Sequence, residues 1–246
     1  MRILALETSG SSGSVAALEA SRLVLEQSLA SGSRSAQSLA PGIDALLAEV
    51  GWSVGQLELI AVTQGPGSFT GLRIGVTTAK ALAYAGGAQL IGVNTLEVIA
   101  RQAPAPGRAP ATPSALWTVL DAQRGELFAA RFTAGTDTAG TVAAGPVDRW
   151  SMQGAVEVID RQEWLAQLEA EEAVSGPAVQ RSAAEMPPGV AVIDRQFWLP
   201  RAETVGRLGY EQFLAGRRDD LFQLCPHYFR RAAAEEQWQR QHGPAG

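Results

Sequence analysis

Cysteine is almost missing from this chain: Cys225 stands alone among 246 residues, so no intramolecular disulfide can form and cysteine usage points to no oxidising compartment. Histidine is nearly as scarce. His227 and His242 are the only two and both lie near the C-terminus, which excludes a metal held by two His four residues apart on one helix. Lys80 is the sole lysine, so positive charge rests on Arg, and 20 Lys+Arg against 25 Asp+Glu leave a net charge of −5. That sign is wrong for a chain that grips phosphate backbones unaided. Long apolar runs are absent too. The N-terminal run, residues 3–6, is far shorter than a signal-peptide core, and no stretch approaches the roughly 18 apolar residues of a membrane-spanning helix. The expectation is a soluble, cytoplasmic protein without a metal site or a membrane contact.

What is present is enough apolar material for a large core, with 46% hydrophobic and only 18% charged residues. The length suits one large α/β domain or two small ones. Residues 3–6 read as a buried strand closed by a Gly/Ser turn at 10–13, and 15–18 and 23–28 as two further strands. Leu39, Ile43, Leu46, Leu47 and Val50 recur at helical spacing before Gly51, predicting a helix over 35–50 with Pro41 in its first turns or kinking it. A strand at 59–63, a glycine-rich loop at 65–71, a helix over 72–85, a strand at 90–93 and a short helix over 95–102 capped by Asn94 or Thr95 follow. The order β-β-β-α-β-α-β-α gives a mixed five-stranded sheet and is the one used by each lobe of the actin/Hsp70/sugar-kinase (RNase H-like) fold.

The Pro/Ala stretch 103–114 reads as a connection between lobes. Beyond it, 116–120 and 126–132 look like a hairpin, 135–145 a low-complexity loop, and 163–171 a short helix carrying Trp164, Leu165 and Leu168. Periodicity is poor between 154 and 199, and 203–214 returns as a helix. The expected division is a first lobe at 1–106, a smaller, degenerate second lobe at 107–200, and a C-terminal helix and tail at 201–246 that return to the first lobe. Trp150, Trp164 and Trp198 are assigned to ordinary packing.

The loop from Gly65 to Gly75 follows a strand and opens a helix, a place where backbone N–H groups favour an anion. It lacks the Gly-Lys-Ser/Thr of a Walker loop and the dinucleotide spacing, so as a bare pattern it reads as a tight turn. The helix after it carries Gly71, Gly75, Ala79 and Ala83 at every fourth position, a ridge with almost no side-chain bulk. Such a ridge admits another backbone closely. Spacing alone leaves open whether that backbone belongs to a partner or to the chain's own sheet.

The run Gly-Pro-Gly-Ser-Phe-Thr-Gly-Leu-Arg-Ile-Gly from Gly65, continuing through Ala79-Lys80-Ala81-Leu82-Ala83, resembles the signature of the TsaB (YeaZ-like) family of glycoprotease-like proteins. Three other segments agree in order: Ile91 to Glu97, Asp121-Ala122-Gln123-Arg124-Gly125-Glu126-Leu127-Phe128, and Pro226-His227-Tyr228-Phe229-Arg230. Glu7 stands where the family usually has Asp, and Ser35 where it often has His. The resemblance implies a two-lobed actin/Hsp70-like α/β fold. It also implies a non-catalytic partner subunit, required for transfer of threonylcarbamoyl to the tRNA adenosine next to the anticodon. The partners implied are a catalytic sister subunit of the same fold (TsaD-like) and a small P-loop ATPase (TsaE-like), with a homodimer when the chain is alone and tRNA reached only through the complex. No intrinsic cofactor is implied, although ATP or ADP can sit in the complex.

The family's pairing surface is formed by the two helices of the first lobe, which maps the partner interface on to Leu39, Ile43, Leu46, Gly71, Leu72, Gly75, Val76, Ala79 and Ala83. Vestigial nucleotide or subunit-boundary contacts map on to Glu7, Thr8, Ser9, Gly65, Gly67, Ser68, Phe69, Thr70 and Arg73. The rival reading is an enzyme, either an actin-like ATPase or a glycoprotease-type peptidase. A peptidase needs a base beside its nucleophile, and His227 with Cys225 fits surface or packing roles better. An ATPase of this fold needs an acid at the end of the first strand, for which Glu7 is available, and a Gly-Gly turn in the second lobe, yet no Gly-Gly follows Gly87.

Overall fold

The computed structural model describes residues 1–29, 35–104, 113–136 and 148–229. The first lobe holds β1 (Arg2–Glu7), β2 (Ser14–Glu19), β3 (Arg22–Ser28), α1 (Ser35–Val50), β4 (Leu59–Gly65), α2 (Phe69–Gly86), β5 (Gln89–Asn94) and α3 (Thr95–Gln102). Its five strands lie in the order β3-β2-β1-β4-β5. The first three form an antiparallel meander, and β4 and β5 join in parallel through the helices. The expected mixed sheet is present, with α1 and α3 at the predicted bounds and Asn94 Oδ1 capping α3 by accepting from the Leu96 amide at 2.8 Å.

β1 is central because it is apolar on both faces. Leu4 and Leu6 bury against the α1 and α2 layer, while Ile3 and Ala5 bury on the opposite face. That opposite face is covered by α5 (Ala202–Leu214), whose Ala202, Val205 and Leu208 pack on it. The last described helix therefore completes the core of the first sheet.

The second sheet holds β6 (Ala115–Gln123), β7 (Glu126–Thr136), β8 (Asp148–Asp160), β9 (Ala173–Ser175) and β10 (Ala191–Val192), with α4 (Arg161–Gln167) after β8. Its order is β10-β9-β6-β7-β8, so, read from the β8 end, its strands sit third, second, first, fourth, fifth, as in the first sheet. The β6–β7 hairpin lies where the sequence predicts it, whereas the helix expected over 163–171 is α4 at 161–167, with Leu168 as its C-terminal cap. The predicted loop at 135–145 gives way at one end to β7, which runs to Thr136, and the rest falls outside the described residues. β8 was not foreseen, because it is an edge strand that buries little and is interrupted by Gly154 at φ +72, which erases the alternation that betrays a strand. A charged pair organises this sheet's interior: Glu172, 1% exposed, accepts at Oε1 from both Arg131 Nε and Nη2 at 2.9 and 2.7 Å and at Oε2 from Trp117 Nε1 at 3.0 Å.

α3 is wedged between the lobes. Its Leu96, Ile99 and Ala100 share one core with Leu116, Phe128 and Phe132 of the second sheet. Around this wedge Glu211 on α5 takes Arg101 from α3 and Arg149 from β8, each at 2.8 Å, and Trp150 Nε1 donates to the Pro104 carbonyl at 2.9 Å. Trp150, Trp164 and Trp198 are all buried, at 5%, 0% and 8% exposure, in agreement with packing roles.

The bare ridge of α2 faces inward. A Cβ on Gly71 would stand 2.0 Å from the Thr8 carbonyl oxygen, and one on Gly75 would stand 2.2 Å from Thr8 Oγ1. Leu72, Val76, Ala79 and Ala83 are buried beside them, and Leu39, Ile43 and Leu46 of α1 are buried in the same core. All nine residues expected at a partner interface are thus inside this chain. The physical reason is the one the spacing left open: without side chains, the ridge lets α2 settle on the end of β1. A bulky residue there disrupts the fold itself. Gly71→Ala is expected to cost about 2–3 kcal/mol, because its methyl meets backbone that cannot rotate away, and urea denaturation of the variant checks this.

Candidate functional site

The end of β1 carries Glu7, Thr8 and Ser9, three residues expected at a vestigial nucleotide site. Glu7 is fully buried and Thr8 is 1% exposed. Glu7 Oε1 accepts from the Ser9 amide at 2.7 Å and from the Ser9 hydroxyl, whereas Oε2 has no partner among the described residues. Burial pushes the Glu7 carboxyl up from its ordinary 4.5 to about 7. Hydrogen bonds from the Ser9 hydroxyl and the Ser9 and Gly10 amides oppose that rise, and the charge of Glu26 adds to it.

The glycine loop packs directly on this segment. Ser68 N donates to the Ser9 carbonyl at 2.7 Å, a Cβ on Gly67 would lie 2.5 Å from that same oxygen, and Gly71 N donates to Ser68 Oγ, which caps α2. Its close approaches are therefore spent on the chain's own backbone. At the end of β1 the Glu7 carboxyl is buried, and the space beside Gly67, Gly71 and Gly75 is taken by Ser9 and Thr8. Among the described residues no group of three or more His, Cys, Asp or Glu is placed to hold a metal, and no helix is long and apolar enough to cross a membrane.

Between the lobes lies a cleft of about 1320 Å³. Of the expected contacts, Ser9, Gly67, Ser68 and Phe69 reach its wall, Glu7, Thr8 and Gly65 are buried, and Thr70 and Arg73 lie exposed at the start of α2. The opposite wall comes from residues 120–124 of the β6–β7 turn and from 177–181, where Arg181 pairs with Asp121 at 2.5 Å.

A strap of residues 219–229 closes one side. It begins at the β5 edge, where Gly92 N donates to Asp219 Oδ2 at 2.8 Å. Lys80 Nζ then donates to the Phe222 and Leu224 carbonyls, each at 3.1 Å. His227 N donates to the Gln64 carbonyl at 2.7 Å, and the Gln64 amide nitrogen lies 3.1 Å from the His227 ring. At the cleft, Phe69 and Tyr228 have ring centroids 4.9 Å apart, the Arg73 guanidinium lies 3.9 Å over Phe69, and Phe229 meets Phe128 of the second lobe at 6.2 Å. Sequence reasoning did not assign the strap or the β6–β7 turn to a site. Their signal was available, since both carry segments of the family resemblance, but nothing in either segment says that they converge. Arg230 of the second segment and the side chain at position 35 lie outside the described residues.

The outward faces of α1 and α2 form one side of the molecule. Ala40, Pro41, Asp44, Ala45, Ala48 and Glu49 are exposed on α1, and Thr77, Ala81, Tyr84 and Ala85 on α2. A Cβ on Gly86 would lie 2.6 Å from the Val54 carbonyl, so the C-terminal ends of the two helices sit at the same end of the layer.

Known proteins resemble this architecture. A family model described as TsaD, tRNA N6-adenosine threonylcarbamoyltransferase, matches residues 29–238. The tRNA threonylcarbamoyladenosine biosynthesis protein TsaB of Bacillus subtilis is 32% identical over 128 residues, covering 52% of this chain and 53% of the relative. TsaB of Escherichia coli is 33% identical over 132 residues, covering 54% and 55%. The chain spans about half the length of the curated relatives it matches. The solved structure of YeaZ from Pseudomonas aeruginosa superposes with a TM-score of 0.73 over 92% of this chain and 99% of that one at 24% identity, which supports the two-lobed fold.

The Glu7 carboxyl carries a pH signature. Its folded value lies above its unfolded one, so its contribution to stability is whole below pH 4.5 and is lost as pH rises through about 7. Glu7→Gln removes the titration. Between pH 5 and 8 the wild-type chain should lose roughly 2–3 kcal/mol that the variant keeps, and denaturant midpoints across that range measure the difference.

Proposed function

The chain belongs to the TsaD family, in its TsaB (YeaZ-like) branch, and from that membership we propose that it is a non-catalytic partner subunit of tRNA threonylcarbamoyladenosine synthesis. It pairs with a catalytic sister subunit of the same fold and so enables transfer of threonylcarbamoyl to the tRNA adenosine next to the anticodon. A small P-loop ATPase (TsaE-like) joins the same assembly, which works in the cytoplasm. Any ATP or ADP of the complex is held by those partners, and tRNA is reached through them. When the sister is missing, the same surface makes a homodimer.

One observation carries this reading. The chain keeps the two-lobed frame while the end of β1, where enzymes of the actin-like fold handle phosphate, is sealed around Glu7 and Thr8 and filled from the glycine loop. A fold retained with that end closed suits a subunit that acts by contact. The contact surface is the outward side of α1 and α2, because their inward residues are committed to the core. That side carries five exposed alanines, Ala40, Ala45, Ala48, Ala81 and Ala85, whose small side chains let partner helices approach closely.

Reconstitution tests the proposal. The TsaD-like and TsaE-like subunits of the same genome, given unmodified tRNA, threonine, bicarbonate, ATP and the enzyme that makes the threonylcarbamoyl donor, should form the modified nucleoside at least a hundredfold faster with this chain than without it. Mass spectrometry of the digested tRNA reads the outcome. Equal modification without the chain, or ATP hydrolysis by the purified chain alone well above background, would reject the proposal.

A further inference from the structure

We propose that the strap 219–229 is a hinged cover of the cleft between the lobes, pinned at Asp219 and latched by Arg73 and Lys80 of α2. Access to the cleft is then controlled from α2, whatever partner the chain takes.

α2 carries two charged side chains, Arg73 and Lys80, and both engage the strap. They stand seven residues apart, two helical turns, and so lie on one side of the helix. Lys80 holds the middle of the strap, its ammonium donating to the Phe222 and Leu224 carbonyls at 3.1 Å each. Arg73 holds the far end, its Nε donating to the Tyr228 hydroxyl at 2.8 Å. Among the described residues, the two bonds from Lys80 are the only hydrogen bonds that tie residues 220–226 to the rest of the first lobe.

These ties are of a kind that opens. The strap forms neither helix nor strand, so no ladder of backbone bonds holds it. Both cations bind neutral oxygens and both reach water, Arg73 being exposed and Lys80 half-buried. Water replaces such a bond at small net cost, and no charge is left buried and unpaired. The pinned end is firmer: Asp219 N donates to the Leu90 carbonyl at 3.3 Å, and its carboxylate accepts from Gly92 N and Arg217 Nη2 at 2.8 Å each. Apolar contact keeps the cover shut at rest. Leu224, 8% exposed, and Leu221 sit on the first core, and Phe229 packs on the cluster that includes Ala122 and Phe128. His227, Tyr228 and Phe229 are themselves cleft wall, so lifting the strap about Asp219 widens the cleft on the α2 side.

Native-state hydrogen exchange of the full chain tests the cover. The amides of Leu224 and His227 donate to the Asp220 and Gln64 carbonyls, and those of β1 report global unfolding. In the wild type the two strap amides should exchange at least roughly tenfold faster than the β1 amides and with a weaker dependence on urea. Lys80→Met, which keeps the stem and removes the ammonium, should speed the strap amides roughly tenfold further, and Arg73→Met should speed His227. Val205→Ala thins the core on the opposite face of the sheet, so it should speed the β1 amides and leave the strap amides unchanged. In a chain carrying Ala122→Cys and Cys225→Ser, a thiol reagent should label position 122, buried at 4% exposure, roughly tenfold faster once Lys80→Met is added. Strap amides that follow β1 in rate and in urea dependence overturn the cover. Strap exchange that neither Lys80→Met nor Arg73→Met alters overturns the latch. Labelling at 122 that stays constant while the strap amides speed up separates the strap from the cleft and overturns the control of access.

Discussion

Everything in the first lobe turns on backbone meeting backbone where α2 crosses the end of β1. With no side chains at Gly71 and Gly75, the helix comes down on Thr8 until a methyl group would not fit, and the glycine loop before it closes on Ser9. This single approach fixes the height of α2 over the sheet, and with it the depth of the core shared with α1. It also fixes the chemistry of the strand end. Glu7 and Thr8 lose contact with water, and burial pushes the Glu7 carboxyl up to about 7, so that it titrates near neutral pH instead of being a full anion there. The strand end is thereby the keystone of the packing of the first lobe.

The lobes share packing and ion pairs across their junction. α3 belongs to the first lobe by chain order but shares its apolar side with the second, and Glu211 draws arginines from α3 and β8 to one carboxylate. The strap adds a second tie on the far side of the cleft, ending with Phe229 against Phe128. The lobes thus meet at the α3 wedge and at the strap.

Much of this was legible in the sequence, for reasons that differ between elements. β1, β4 and β5 are short apolar runs bounded by turn residues, and α1 and α3 have clean periodicity with recognisable ends. The second lobe was harder to read because β8 lies at an edge and β9 and β10 are three and two residues long, too short for any period to emerge. The site was read at the right loops and in the wrong sense. A ridge of Gly and Ala at every fourth position marks a close approach, but a sequence does not say from which side it comes. Leu39, Ile43 and Leu46 are the better guide in hindsight, since three large apolar residues on one stripe of α1 ask for the core before they ask for a partner. The strap could not be placed on α2 from the sequence, because the contact that joins them runs through two carbonyl oxygens and one ammonium group.

The position of α5 has a consequence for how the chain matures on the ribosome. Ile3, Ala5, Ala16, Leu18, Leu59, Ala61, Ile91 and Val93 line one side of the first sheet by the time residue 94 has emerged, yet much of their cover is Ala202, Val205 and Leu208. During the synthesis of roughly a hundred further residues that side lacks this cover, for several seconds or more at ordinary elongation rates. The core of the first lobe is therefore complete only once α5 has been made.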